Sequence, residues 1–175
     1  MNAPDAIFDR SMIRRRRARA AARFADHDFL FREIAERLAE RVGDVRRDFA
    51  LALDAGCRSG LFAKAAQGAI PGKIGQVVQY DLSPDFAALA ARDTVMPTLA
   101  ADDEALPFAP ASFDLVASCA VLHAVNDVPG ALIQLRQALK PDGLFVGAIL
   151  GGETLHELRH ALIAAEAEVE GGASP

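Results

Sequence analysis

Short apolar runs alternate with amphipathic segments along this chain, and that alternation limits its fold more than any other feature. Several of the amphipathic segments repeat Leu, Val or Ala every three or four residues, which is the spacing of a helix. Strands that are apolar along nearly their whole length, joined by helices, predict a parallel sheet covered on both faces. We therefore predict an α/β fold with five parallel strands, at residues 49–53, 73–80, 95–101, 113–119 and 144–150.

Two further helices are predicted ahead of the first strand, at residues 11–24 and 27–42. A chain of 175 residues has the length of one ordinary domain with a short appendage. We accordingly divide it into a helical extension, residues 1–47, and an α/β domain, residues 48–175.

Local signals add three details to the α/β part. Ser83 followed by Pro84 predicts a capped helix start. Residues 140–143 predict a turn before the last strand. Thr154 and Glu157 have the spacing of a capping box, so they predict a final helix.

Charge is divided unevenly along the chain. Residues 1–47 carry a formal net charge of +4 and the remainder −9, which gives −5 in total. Nucleic-acid binding is not expected, because the larger part would repel phosphates. The segment 10–23 holds seven arginines and no acid. Three interpretations of it are open: a solvated helix face, a patch for a substrate or partner, and an organelle transit peptide.

Other classes of protein find little support. No apolar run approaches the roughly 20 residues that span a bilayer, and no signal peptide follows Met1. Cys57 and Cys119 are too few for a disulfide framework and lack zinc-site spacing. His156 and His160 are one helical turn apart, but no third ligand is evident, so no metal site is predicted. A reducing, intracellular compartment is the expectation.

A glycine-containing turn follows the first strand. Ligands of open α/β sheets bind at the carboxyl ends of strands, and glycines let backbone N–H groups approach them. Asp54, Gly56 and Gly60 occupy this turn. The dinucleotide fingerprint G-x-G-x-x-G would need glycine where Arg58 and Leu61 stand, and no Gly-Lys-Ser/Thr completes a Walker loop. The turn therefore predicts a ligand without a pyrophosphate.

Acidic residues follow the next two strands. Asp81, at the end of the second strand, could accept both hydroxyls of a ribose. Asp102, Asp103 and Glu104 follow the third strand, where a carboxylate could accept from the exocyclic amine of adenine. Three consecutive strand ends thus predict an adenosine-bearing ligand, although each feature alone also fits a tight turn, a helix cap or a solvated acidic loop.

The chain resembles class I S-adenosylmethionine-dependent methyltransferases of the type-11, BioC-like group. The resemblance rests on the residues above and on Phe-Asp-Leu-Val at 113–116, Leu-His at 122–123 and Leu-Lys-Pro-Asp-Gly at 139–143. The resemblance covers about residues 48–150 and implies a Rossmann-like sheet and S-adenosyl-L-methionine as cofactor. Family members continue with two more strands, which we expect to be absent here. The resemblance implies these cofactor-binding residues: Asp54, Gly56, Cys57, Arg58, Gly60, Asp81, Leu82, Asp102, Asp103, Glu104 and Ser118.

Residues 7–10, 123–127, 151–159 and 170–175 are similar to a subfamily of methyltransferase-like assembly factors of mitochondrial respiratory complex I and their bacterial relatives. That similarity implies a protein substrate, namely a complex I subunit, and arginine hydroxylation as an alternative to methyl transfer. It also implies a cytoplasmic location, or the mitochondrial matrix in a eukaryote. A noncatalytic assembly or chaperone module with the same fold is a third hypothesis.

Two side chains leave the chemistry open. Arg58 stands where the family has the middle glycine of the turn, and it could pair with the cofactor's carboxylate or fill the site. His123, after the fourth strand, is the candidate base or substrate contact, since its free pKa lies near neutrality. The alternative is that His123 only packs at this loop.

Overall fold

The computed structural model describes residues 6–171, so the predictions that fall on Met1 and on residues 172–175 lie outside the described residues. Six α-helices, two short 3-10 helices at Phe24–Asp26 and Leu122–Ala124, and five strands make up this part of the chain. Their bounds are α1 Arg10–Ala21, α2 Phe29–Gly43, β1 Phe49–Ala55, α3 Leu61–Ala69, β2 Ile74–Asp81, α4 Pro84–Thr94, β3 Thr98–Ala100, β4 Phe113–Cys119, α5 Val128–Ala138, β5 Leu139–Ala148 and α6 His156–Glu170.

The five strands form one parallel sheet with the order β3-β2-β1-β4-β5. The prediction of five parallel strands in a Rossmann-like sheet is thereby confirmed. β1 lies at the centre, and at its carboxyl end Asp54 is level with Gln79 of β2 and Ala117 of β4. The ends of β2, β1 and β4 therefore meet at one rim.

Two hydrophobic cores cover the faces of the sheet. On one face α2, α3 and part of α4 pack against residues such as Leu115 and Ala117 of β4. On the other, α5 packs against Val116 of the same strand. Burial of each such Leu or Val contributes on the order of 2 kcal/mol. Phe24 and α2 belong to the first core, so the helical extension packs directly onto the α/β part.

The last strand differs from the prediction. β5 begins at Leu139, and residues 140–143, predicted as a turn before the strand, form a bulge within it. The pairing of Phe113 with Leu139 is followed by that of Leu115 with Leu144, so extra residues stand on the β5 side. Asp142, with φ 61°, supplies the left-handed residue of the bulge.

Other predicted details are also wrong, among them the end of α1, which lies at Ala21 rather than at residue 24. The capping box is not formed, because Thr154 donates its hydroxyl to the Gly151 carbonyl at 2.7 Å and α6 begins after Leu155 without a side-chain cap. α2 begins at Phe29 rather than at residue 27. β3 spans only three residues, because Val95, at φ 58°, still belongs to the end of α4. The Ser83 cap is confirmed by its contact with the Phe86 N–H.

None of the helices between residues 6 and 171 is long and apolar enough to cross a membrane.

Candidate functional site

The glycine turn after β1 requires glycine at both of its ends. Gly56 has φ 69°, and a Cβ there would lie 2.2 Å from the Val121 Cγ2. Gly60 has φ 73° and directly precedes α3, where a Cβ would lie 2.5 Å from the Thr94 Cγ2. The Cys57 N–H donates to the Tyr80 carbonyl at 2.8 Å, which holds the turn against β2. Close packing of backbone thus fixes the turn beside the end of β2.

Arg58 lies buried inside this turn. Its Nη1 and Nη2 each donate at 2.8 Å, to the carbonyls of Cys119 and Ala120 at the end of β4. The guanidinium carbon stands 3.8 Å from the centre of the Phe31 ring, a cation–π contact. Burial, and then the charge of Arg17, lowers the pKa of Arg58 to about 10. The Arg58 side chain therefore spans from the glycine turn to the end of β4.

Asp81 ends β2 with a fully buried carboxylate. Oδ1 accepts from the Ser83 N–H at 2.8 Å, and Oδ2 accepts from the Arg58 N–H at 3.1 Å. Oδ1 also lies 3.2 Å from Nη1 of Arg17, whose side chain is 13% exposed. The neighbouring Leu82 is buried, and its carbonyl accepts from the Arg14 Nε at 3.2 Å. The ribose candidate is therefore held in place by its own chain and covered by arginines of α1.

The acidic segment after β3 is covered in the same way. Arg10 Nη2 lies 2.5 Å from Asp102 Oδ1 and 2.9 Å from Asp103 Oδ2. Although burial opposes it, the Arg10 hydrogen bond lowers the pKa of Asp102. Asp103 also accepts from the Tyr80 hydroxyl at 3.2 Å, and Glu104 accepts from the Asn126 N–H at 2.8 Å. These bonds fix the segment at the rim of the sheet.

The basic helix α1 thus has two faces, which sequence reasoning did not separate. Arg10 and Arg17 are 13% exposed and paired, whereas Arg15, Arg16 and Arg19 point to solvent. The interpretation as a solvated helix face therefore holds for Arg15, Arg16 and Arg19 but not for Arg10 and Arg17. The available signal was charge complementarity between an arginine-rich segment and acids predicted at one rim.

Several buried polar atoms at the rim have no hydrogen-bond partner among the described residues: both carboxylate oxygens of Asp54, the Ser118 hydroxyl and His123 Nδ1. Burial raises the pKa of Asp54 to about 7, although the Ala63 N–H and the Gln79 amide lie near enough to offset part of the shift. For His123, in the turn after β4, burial lowers the pKa, and the charges of Arg58 and Arg17 act in the same direction.

Cys57 is buried beside these groups, and burial, with Asp54 and Asp81, raises the pKa of its thiol well above the ordinary value. It therefore contributes packing rather than a nucleophile. Within residues 6–171 no three His, Cys, Asp or Glu side chains are grouped to hold a metal ion. A cavity of about 400 Å³ between α3 and β2 is lined by residues such as Ile70, Val77 and Pro97, and none of the predicted site residues lines it.

The fold defines a class: a parallel α/β domain of the methyltransferase type. The family model "Methyltransferase domain" matches residues 53–147. The chain belongs to this methyltransferase family, and the predicted class I methyltransferase fold is confirmed. The match implies S-adenosylmethionine as the cofactor of the domain.

Relatives and structures agree with this assignment. The mouse mitochondrial arginine-hydroxylase NDUFAF5 is 47% identical over 97% of this chain and 49% of its own length. A malonyl-acyl-carrier-protein O-methyltransferase of Methylovorus sp. is 36% identical over 92% of this chain and 57% of its own. The chain therefore spans about half the length of the curated relatives it matches. A Haloferax volcanii methyltransferase structure, solved with its activator Trm112, is similar at a TM-score of 0.71 and 24% identity, covering 87% of this chain and 73% of that one.

Proposed function

We propose that the rim binds the nucleoside of S-adenosylmethionine and that this chain carries the cofactor-binding site of a methyltransferase. One observation carries the proposal: the buried Asp81 carboxylate at the end of β2, oriented by two backbone N–H groups. Ribose hydroxyls would replace the Arg17 contact on this carboxylate. Asp102 and Asp103 lie at the adjoining strand end for the adenine amine.

The side chains present fit the two halves of the cofactor differently. The nucleoside half fits, because its acceptors exist and are held in place by hydrogen bonds within the chain. The amino-acid tail would need space at the end of β4 that the Arg58 guanidinium already occupies. Binding of the whole cofactor therefore requires Arg58 to move, and binding of the nucleoside requires only the exchange of the α1 arginines.

When bound, the cofactor supplies an electrophilic methyl group, and the protein's part is alignment and proton removal. His123 is the candidate base. Burial and the nearby arginines favour its neutral imidazole, which is the form that accepts a proton. Ser118 and Asp54 would supply the remaining polar lining between β1 and β4.

Isothermal calorimetry with S-adenosylmethionine tests the proposal. Asp81→Asn should weaken binding by about 10-fold or more, since a charge-assisted hydrogen bond contributes about 1.5–3 kcal/mol. Asp85→Asn, an exposed acid four residues along, is the matched control and should bind as wild type does. A folded wild type and a folded Arg58→Gly variant that both fail to bind would overturn the proposal and leave a noncatalytic module.

A second candidate function is arginine hydroxylation of a protein, in which O₂ would supply the inserted oxygen atom and a separate two-electron reductant would reduce the other oxygen atom to water. The printed name of the mouse relative supports it. So does the rim, because three guanidinium groups, those of Arg10, Arg17 and Arg58, already sit on its carboxylates and carbonyls. Mass spectrometry of a candidate complex I subunit separates the outcomes: methyl transfer adds one CH₂, and hydroxylation adds one oxygen.

The partner, a complex I subunit, is a proposal from the subfamily resemblance of residues 7–10, 123–127 and 151–159, and the location is a proposal from the mouse relative. Its name includes "mitochondrial", which supports a matrix location if the source is a eukaryote, and the cytoplasm otherwise. Co-purification of the chain with complex I subunits is the measurement for the partner; recovery of the chain free of any such subunit would contradict it.

A further inference from the structure

The inference concerns the amino-acid tail of the ligand and rests on the proposed function. Adenine at Asp102 and Asp103 and ribose at Asp81 would lie over the ends of β3 and β2. Because the sheet order continues from β2 through β1 to β4, a ribose substituent that points away from the adenine would pass over the glycine turn toward the end of β4. That region is where the guanidinium of Arg58 lies.

The site that the Arg58 guanidinium occupies suits a cation with N–H donors. It consists of the Cys119 and Ala120 carbonyls, both 2.8 Å from the guanidinium, with the Phe31 ring 3.8 Å away. Carbonyl oxygens accept such donors, and an aromatic face attracts the charge. An ammonium group on the ligand tail would need these same acceptors.

The Arg58 guanidinium occupies this site without an ionic partner among the described residues. The ion pairs of the described residues include Arg17 with Asp81 and Arg10 with Asp102, but none with Arg58. Its own backbone has φ 49°, a left-handed conformation that glycine adopts more readily. The tail is a zwitterion, and its ammonium group would approach a buried guanidinium that has no ionic partner among the described residues.

We propose that Arg58 sets ligand selectivity: it weakens binding of the amino-acid tail, so that the site favours nucleosides without an amino group on the ribose substituent. In this account Asp81 and the acidic segment set the affinity for the nucleoside. Arg58 sets the penalty for the tail. The two contributions lie at different strand ends and can be changed separately.

Calorimetry with three probes tests this: 5′-methylthioadenosine, which lacks the tail, S-adenosylhomocysteine, which has it, and S-adenosylmethionine, which adds the sulfonium charge. Wild type should bind methylthioadenosine at least as tightly as either tailed ligand. Arg58→Gly should strengthen both tailed ligands by about 10-fold or more and leave methylthioadenosine within about twofold.

Matched variants separate charge from position. Arg16→Ala removes one exposed arginine of α1 and should leave all three affinities unchanged. Arg17→Ala uncovers Asp81 and should strengthen all three ligands alike. Arg58→Lys keeps the charge but cannot donate to both carbonyls from one planar group, so it should lie between wild type and Arg58→Gly.

The results that would overturn the inference are distinct from failure of the proposed function. A loss of tailed-ligand affinity in Arg58→Gly would show that Arg58 pairs with the tail carboxylate instead. Equal changes for all three ligands would show no selectivity. Absence of binding of any probe to wild type and to Arg58→Gly, both folded by circular dichroism, refutes the proposed function itself. Arg58→Ala repeats the comparison if Arg58→Gly does not fold.

Discussion

Asp54→Asn should remove a pH-dependent loss of stability. Asp54 ends the central strand with its carboxylate fully buried and both oxygens without a hydrogen-bond partner among the described residues. Burial raises its pKa from the ordinary 3.8 to about 7. In the folded protein the proton is therefore retained up to pH 7, while the unfolded chain releases it near pH 4.

The direction follows from proton binding. Between pH 4 and pH 7 Asp54 binds more protons in the folded state than in the unfolded state, so its contribution to stability falls as pH rises through this interval and is constant above it. The pKa shift corresponds to about 4 kcal/mol at most. Relaxation around a buried charge reduces such values, so we expect about 1–4 kcal/mol.

Urea unfolding of wild type and Asp54→Asn at several pH values provides the assay. Asparagine has the same shape and no charge, so the variant should gain stability relative to wild type as pH rises from 4 to 7. Asp26→Asn, at an exposed carboxylate, should stay within about 0.5 kcal/mol of wild type. A stability difference between Asp54→Asn and wild type that is the same at pH 4 and pH 8 would refute this reasoning.

The remaining predictions concern the turn, a helix cap and the histidine. Gly56→Ala should lower the free energy of unfolding by about 2 kcal/mol or more, because the added Cβ would clash with Val121 at a position of positive φ. Gly68→Ala, in open space on α3, should raise the free energy of unfolding by about 0.5–1 kcal/mol. Equal effects of the two substitutions in urea unfolding would contradict both predictions. Ser83→Ala should cost about 1 kcal/mol by removing the cap of α4, and no change in the thermal midpoint would count against that cap. Arg58→Gly should raise the pKa of His123, because it removes a nearby positive charge, and an NMR titration showing a lower or unchanged pKa would count against their proximity.

The sheet could be predicted because its signals are local. Buried parallel strands are apolar along their length. The short segment that begins with Ser83 and Pro84 is enough to mark the start of a helix. The bulge at residues 140–143 could not be predicted, because the same turn residues can either precede a strand or form a bulge within it. Pairing with β4 decides which of the two forms. The predicted capping box failed for a related reason, since Thr154 found a nearer acceptor in the Gly151 carbonyl.

The sequence predicted the hydrogen-bond acceptors at the rim, but it did not predict that arginines of α1 form ion pairs with them. Strand ends place Asp81 and Asp102 near each other whatever the side chains do. That Arg10 and Arg17 cover them depends on how α1 packs against α4, a contact between distant segments with no local signature. The direction of Arg58 likewise depends on Phe31 and on the carbonyls of β4, which only the folded chain brings together.

A crystal structure of Arg17→Ala with 5′-methylthioadenosine tests the central claim most directly. The account predicts both ribose hydroxyls on the Asp81 carboxylate, at about 2.5–3.0 Å, with Arg58 still on the Cys119 and Ala120 carbonyls. The nucleoside found instead in the cavity between α3 and β2, with Asp81 bonded only to its own chain, would contradict it.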